Sequence, residues 1–539
     1  MTVPVAAGAG ARAPGVSMEW VSADIPVPAA VRTDVAGFVG LAQRGPAHQP
    51  VRIASWSQFQ AAFGSYEPRG WLAYAVNGFF ANGGDACWVV RVVDPDTAQA
   101  AGANLPAAPG GPAVAAAAIS PGSWAEGTRL TAVDLGSGLF SLVVDASGIR
   151  ETWPELSLDA ADARFYGAVI NDPVRGSQVV NLTARAGAAV STGTATLTGG
   201  ADGLAGLQLE HFTGDGSPPG AAWGLTALDN VEEVAIVAIP DAVRHPVELR
   251  QAAGELPPQG IFDQTAELYN ALLVSCAGRR RFALLDEPSA GDLPAGALAW
   301  QQVLQQGTTA ASFGSLTYPW LLGDDPLQAA GPVLAMPGSG HIAGIFARND
   351  LTVGVHKAPA NATVVGARDV AWVVDEATHG RLNTASVNVI TVRPGRGIRL
   401  MGSRTLDPGT TWRYLNVRRL ISMIELSLES ALAWLVFEPN TQALQAQVER
   451  EVRAFLLSLW ERGALDGAQA ADAMTVRCDG TTTTPDDVAA GRLICLIGVK
   501  PPIPAEFVTV RIAVTEAGVQ VVGEQGRQVA SAPGGSSGQ

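Results

Sequence analysis

The feature that most constrains this chain is a set of short, nearly unbroken apolar runs with helical patterns between them. Residues 35–42, 87–93, 231–239 and 282–285 lack the in-and-out alternation of a half-solvated strand. Runs of this kind suit strands buried on both faces, as in a parallel sheet covered by helices. Between them, residues 57–63 form a short helical pattern closed by Gly64. Residues 71–80 gather Leu72, Ala75, Val76, Phe79 and Phe80 on one side. Residues 263–277 do the same with Ala266, Tyr269, Leu273 and Cys276. Strand, helix, strand in that order predicts βαβ units and an α/β body.

The pattern breaks twice. From Thr97 to Pro121 the composition shifts to Ala, Gly and Pro, and residues 122–198 hold short alternating runs between turn residues. This predicts a mainly β, peripheral insertion over 97–203, leaving a discontinuous α/β middle domain of 35–96 plus 204–342. Beyond residue 415 the apolar positions Val417, Leu420, Ile421, Ile424 and Leu428 recur at helical steps, and Pro439 stops them. Asn440 reads as the cap of a second helix with the stripe Leu444, Val448, Val452, Phe455, Leu456 and Leu459, ended by Gly463. Glu449 and Arg453 stand four apart on its polar side. Residues 493–499 read as a buried strand. Val508, Val510, Ile512 and Val514 alternate on one face of a last strand, as Val16, Met18 and Trp20 do near the start. The expected division is a linker arm over 1–34, the middle domain, the insertion, a C-terminal α+β domain over 343–520 and a disordered tail over 521–539.

Sites of catalysis are hard to find. No Lys stands in a phosphate-binding loop. Gly338-Ser339-Gly340-His341-Ile342-Ala343 fits a loose dinucleotide fingerprint, but Pro337 precedes it and no acid follows between Asp350 and Asp369. The six histidines are scattered, so no metal site and no cofactor is expected. Asp324-Asp325, Asp375-Glu376 and Asp486-Asp487 read as loop and cap residues. Cys87, Cys276, Cys478 and Cys495 are far apart, without C-x-x-C, and read as free thiols. No apolar run approaches membrane-spanning length, and residues 1–16 lack the pattern of a signal peptide. A net charge of −15 argues against general nucleic-acid binding. Against that charge, residues 391–419 hold Arg393, Arg396, Arg399, Arg404, Arg413, Arg418 and Arg419 with Asp407 as the one acid. Either these arginines fix loops within their own domain, or they form a basic face for a polyanionic partner.

The stretch from Ala343 to Val514 carries a collinear series of motifs: Gly-Ile-Phe-Ala-Arg (344–348), Lys-Ala-Pro-Ala-Asn (357–361), Arg-Pro-Gly-Arg-Gly-Ile-Arg (393–399), Ser-Arg-Thr-Leu (403–406), Leu-Asn-Val-Arg-Arg-Leu (415–420), Val-Phe-Glu-Pro-Asn (436–440), Arg-Gly-Ala-Leu (462–465) and Pro-Ala-Glu-Phe-Val (504–508). Together they resemble the C-terminal domain of contractile tail sheath proteins. The Pro-Gly-Val start, the Asn-Gly-Gly before a Val-Val-Arg strand and Gly-Gly-Ala-Asp-Gly (199–203) extend the resemblance.

The resemblance implies a multidomain sheath fold with exchanged terminal strands and a structural, mechanical subunit with no catalytic site. It implies hexameric rings stacked around an inner tube protein, with baseplate and terminator or cap proteins as further partners. Nucleic acid and membrane insertion are not implied. Assembly in the bacterial cytoplasm, as part of a phage tail or a released tail-like particle, goes with it. Val16, Met18, Trp20, Val508, Val510, Ile512 and Val514 would then form inter-subunit strands. Arg418 and Arg419, with Arg393, Arg396 and Arg399, would dock the tube. The contrasting expectation is an α/β enzyme or carbohydrate-binding module with a β insertion.

Overall fold

The computed structural model describes residues 29–107, 112–214, 222–245, 254–289, 291, 293–328, 333–506, 511–515 and 518–522. Val16, Met18, Trp20, Val508 and Val510 lie outside them. Two compact units are present. Among the described residues, one holds 31–426, 464–466 and those from 501 to 522; the other holds 29–30, 427–463 and 467–500.

The larger unit is built on a nine-stranded sheet. Its strands are β1 (Ala36–Gly40), β2 (Val51–Ile53), β3 (Cys87–Arg91), β4 (Ile236–Ala238), β5 (Phe282–Asp286), β6 (Gly314–Tyr318), β7 (Ala362–Thr363), β8 (Val387–Arg393) and β9 (Gly397–Leu400). They lie in the order β7-β9-β8-β6-β5-β4-β1-β3-β2. The six from β8 to β3 are parallel. The outer strands β2 and β9 run antiparallel to them, and β7 antiparallel to β9. Every residue of β1, β5 and β6 is buried, as the unbroken apolar runs of β1 and β5 require.

Helix α1 (Leu72–Ala81) packs against helix α2 (Ser339–Thr352). The seam is made by glycines. A Cβ on Gly340 would lie 2.3 Å from the Ala75 backbone, one on Gly344 would lie 2.3 Å from the Phe79 carbonyl, and one on Gly78 would lie 2.5 Å from His341 Nδ1. Only hydrogen at Gly340 and Gly344 lets the backbones come so close, and only hydrogen at Gly78 leaves room for the His341 ring. Of the two glycines of the loose fingerprint, Gly340 therefore serves helix packing. The N-terminus of α2 is also already taken: Asp286 Oδ1 accepts from the Gly338 and Ser339 N–H groups, each at 2.9 Å.

The expected boundary at 342/343 falls inside α2. β8 continues the sheet by pairing with β6, Leu316 opposite Val387, so the sheet does not end where the motif series begins. The expected boundary at 520/521 falls inside a strand as well. Ile512 and Val514 lie on Arg511–Thr515, which pairs antiparallel with Gly518–Val522 of the same chain.

The insertion consists of two antiparallel sheets. One has four strands, Gly193–Thr196, Arg129–Gly136, Leu139–Ala146 and Ile149–Ser157. The other has three, Gly102–Asn104, Val114–Ala118 and Val180–Ala184. Val114, Ala116, Leu130, Leu142, Val144, Leu156, Val180 and Leu182 share a core distinct from that of the body.

Helix α3 (Leu415–Ala431) runs from the larger unit into the smaller. Its stripe is buried as expected at Val417, Leu420, Ile424 and Leu428. In the smaller unit, helix α4 (Gln442–Glu461) buries Val448, Val452, Phe455, Leu456 and Leu459. Its cap is Thr441 rather than Asn440, the Thr441 hydroxyl accepting from Leu444 N–H at 3.2 Å. Glu449 and Arg453 pair at 2.7 Å. Met474–Arg477 and Leu496–Val499 form a two-stranded antiparallel sheet. The second strand was expected to be buried, yet Leu496 is 57% and Ile497 39% exposed. Among the described residues it has a strand neighbour on one edge only.

Candidate interaction surfaces

The arginine-rich stretch divides by direction. Arg418 and Arg419, expected on a docking surface, both point inward. The Arg418 guanidinium lies between two rings, 4.2 Å from the Trp412 centroid and 4.5 Å from that of Phe313. Arg419 pairs with Asp350, 3.2 Å to Oδ1 and 2.5 Å to Oδ2, and donates to the Thr33 carbonyl at 2.9 Å. Arg419 and Asp350 are both buried, so the pair is internal glue that no partner could reach. Arg404 is internal too, with Glu506 and the Asn383 carbonyl as acceptors. The bonds of Arg404 and Arg419 fit the loop-fixing expectation, whereas Arg418 is held by the two rings.

Arg393, Arg396 and Arg399 behave differently. They occupy the β8–β9 hairpin, whose tip Pro394-Gly395-Arg396-Gly397 is exposed. Gly395 and Gly397 have φ of +71° and +74°, which glycine adopts without strain. Arg399 is anchored to the Asn361 and Arg396 carbonyls. Arg396 is exposed and Arg393 half-buried, leaving a small basic knob at the end of the hairpin.

The junction between insertion and body is polar and tightly bonded. Arg69 sits between Glu67 and Asp202, and Asp202 also accepts from the Ser123 N–H at 2.7 Å and hydroxyl at 2.9 Å. Buried Arg91 donates to the carbonyls of Ala42, Gly45 and Pro121. Beside it lies an open cleft of about 740 Å³ that includes Gln43, Arg44, Arg69, Trp124 and Asp202. Its carboxylates Glu67 and Asp202 are both bonded to Arg69, and Arg44 donates to the Gln60 and Ala61 carbonyls, so no acid and base face each other there unpaired.

The other titratable candidates are structural. Asp375 caps the helix Glu376–Thr384, accepting from Thr378 N–H at 2.9 Å. Asp487 closes a capping box with Thr484. Asp324 pairs with Arg368 at 2.6 Å. Burial lowers His341 to about 4 and raises Asp241 to about 7, but the Asp241 carboxylate already accepts the N–H groups of Leu41 and Trp71. Among the described residues no three His, Cys, Asp or Glu side chains are grouped to hold a metal, and no helix is long and apolar enough to cross a membrane.

Known proteins give this arrangement a context. Residues 263–406 match the family model of the phage tail sheath protein central domain, and residues 407–515 that of the phage tail sheath C-terminal domain. A putative prophage major tail sheath protein of Pseudomonas aeruginosa (strain UCBPP-PA14) is 25% identical over 184 residues, 33% of this chain and 46% of that one. The tail sheath protein of Salmonella phage ViI is 26% identical over 178 residues, 32% of this chain and 27% of that one. The matched stretches thus span less than half the length of these relatives. The fold likeness extends further. The PVC sheath complex of an extracellular contractile injection system, in its contracted state, superimposes with a TM-score of 0.56 at 20% identity, covering 94% of this chain and 99% of the other. The contracted helical sheath of the anti-feeding prophage gives 0.55 at 22% identity, covering 93% and 98%. At such identities the likeness is one of fold, a multidomain α/β sheath fold. Residues 263 to 515 thus carry two consecutive domains of the phage tail sheath family.

Proposed function

We propose that this chain is the structural and mechanical subunit of a contractile sheath. Copies polymerise as stacked hexameric rings around an inner tube, and contraction drives the tube through a target envelope. The observation that carries the reading is the unfinished sheet of the smaller unit. Two strands alone are marginal in water, and an exposed apolar edge invites a further strand. Extended arms of neighbouring copies, one with Val16, Met18 and Trp20 and one with Val508, Val510, Ile512 and Val514, would supply it through main-chain hydrogen bonds. A contact repeated by rotation and translation yields an open filament, as a sheath requires.

Baseplate and terminator or cap proteins are the further partners of this reading, and assembly in the bacterial cytoplasm its setting. No catalytic step is assigned. The hairpin knob of Arg393, Arg396 and Arg399 is the tube-docking candidate, because surface ion pairs of about 0–1 kcal/mol each are weak singly and break easily. The β insertion, with its separate core, decorates the outside.

The test is electron microscopy of the purified protein, full-length and lacking residues 1–22. Rings or tubes from the full chain, with a folded but unpolymerised truncation, support the reading. Discrete particles from the full chain, or normal tubes from the truncation, count against it. Reversing charge at Arg393 and Arg396 to Glu, co-expressed with tube protein, should leave sheath only in its contracted, tube-free form.

A further inference from the structure

Two of the four cysteines, 17 positions apart in sequence, face each other across the two-stranded sheet of the smaller unit. The ladder pairs Met474 with Val499, Thr475 with Gly498, Val476 with Ile497 and Arg477 with Leu496. The next position in the same register sets Cys478 opposite Cys495. The type of that position can be read from the bonding. Lys500 N–H donates to the Ala473 carbonyl at 2.9 Å, so Ala473 and Lys500 form a hydrogen-bonded pair. Alternation along an antiparallel ladder then makes 475/498 and 477/496 hydrogen-bonded, and 474/499, 476/497 and 478/495 non-hydrogen-bonded. Non-hydrogen-bonded partners stand about 4.5 Å apart at Cα, within the range of about 4.4–6.8 Å that a disulfide spans. Directly opposed residues project to one face, and the two thiols lie within hydrogen-bonding reach of each other. Both are free, Cys478 buried and Cys495 half-buried.

We propose that Cys478 and Cys495 are a modification site at which a small-molecule disulfide of the glutathione class installs a reversible cross-strand disulfide. Cys495, the more accessible thiol, attacks the glutathione disulfide as thiolate, forming a mixed disulfide and releasing one glutathione. The Cys478 thiolate then attacks the Cys495 sulfur and releases the second glutathione. One small-molecule disulfide is reduced to two thiols, two protein thiols are oxidised to one disulfide, and the two thiol protons pass to the departing glutathiones. The bond closes residues 479–494 into a loop and fixes the ladder register, so the exposed strand Leu496–Val499 cannot slip along its neighbour. Burial and the nearby Glu449 carboxylate hold both groups as thiols, so the exchange is slow at neutral pH and quickens with alkali.

The test is incubation of the folded full-length protein, without denaturant, in glutathione disulfide at pH 7 and pH 8.5, followed by alkylation and mass spectrometry. The expected result is a loss of about 2 Da before alkylation, as two thiols become one disulfide, and two alkyl adducts in place of four after alkylation of the unfolded product. Proteolysis should yield a cross-linked peptide pair containing 478 and 495, which dithiothreitol separates. Cys87 and Cys276, buried in the body, should stay free and serve as internal controls. Cys478→Ser and Cys495→Ser should each abolish the cross-link, though mapping in the unaltered protein already decides the matter. Four alkylatable thiols after prolonged oxidation, a product that stops at a glutathione adduct on Cys495, or a cross-link that forms only in urea would each overturn the proposal.

Discussion

The central sheet and the insertion are both made of short apolar strands, yet their burial differs in kind. In the sheet, β1, β5 and β6 are buried at every position. In the insertion, Val114, Ala116 and Ala118 are buried while Ala115 and Ala117 are exposed, and Leu139–Ala146 alternates in the same way. The sheet has helices packed on it, whereas each insertion sheet has one covered face and one wet face. Hydrophobicity alone therefore does not distinguish these regions. What distinguishes them is how many faces are covered, and this sets how much each position matters and which structure fails with it.

Substitutions can be chosen to break that contrast. The largest effect is expected in the body from Arg419→Ala, which leaves Asp350 buried without its partner. A loss of about 3–5 kcal/mol should appear as a large drop in the urea midpoint. If the midpoint barely moves, the pair is not the internal glue described. Next, Leu284→Ala in β5 and Leu142→Ala in the insertion should each cost about 2–5 kcal/mol locally. Hydrogen exchange should report the first across the whole sheet and the second only within 101–197, because the two cores are separate. Exchange that rises everywhere in both variants would merge the regions into one cooperative body.

A smaller effect is expected from Gly340→Ala, which overpacks the α1–α2 seam and should cost about 1–3 kcal/mol. Gly148→Ala, in an open turn of the insertion at φ +76°, should cost about 1 kcal/mol or less. Thermal melts of the two variants compare them directly.

The finest contrast is in pH. Burial raises Asp241 to about 7 and Asp286 to about 6, above the unfolded value near 3.9. Between about pH 4 and 7 the folded body binds more protons than the unfolded chain, so its stability falls as pH rises. One such group contributes no more than about 1.4 kcal/mol per pH unit. Asp162 and Asp172 of the insertion are shifted the other way, Asp162 to about 2 by the Arg164 side chain and backbone N–H, Asp172 downward by the backbone N–H groups of Arg175 and Val174. Their contribution is lost only as pH falls below about 4. Asp241→Asn should flatten the body's slope between pH 5 and 7.5 and leave exchange in the insertion unchanged.

The parts of the fold legible in the sequence were those whose signal is local. The apolar runs of β1, β3 and β5, the stripes of α3 and α4, and the Glu449–Arg453 pair all follow from neighbours within a few positions. β6 gave no such signal. Ser315 and Thr317 interrupt its apolar pattern, although both are buried, with Thr317 directed toward the Leu285 carbonyl. β8 carries Asn388 in mid-strand, which pays for its burial by bonding Leu316 and Arg404 across the fold. The direction of the arginines was equally out of reach. Arg418 and Arg419 begin a helix and look solvent-facing, but the partner of Arg419 is 69 positions away at Asp350. The cysteine pair was hidden for the same reason, since only the strand register brings 478 to 495.

Where Gly340 meets Ala75 and Gly344 meets Phe79, backbone lies against backbone and no compressible layer separates the two helices. In most packed joints a load is taken up first by side chains, which can change rotamer and let the elements shear a little. Here the load passes from backbone to backbone, and there is nothing to re-sort. The joint between α1 and α2 is therefore stiff, like a weld rather than a bearing. Any deformation this body undergoes must be absorbed in its more loosely packed connections, and a bulkier residue at Gly340 would introduce play into a frame that transmits force.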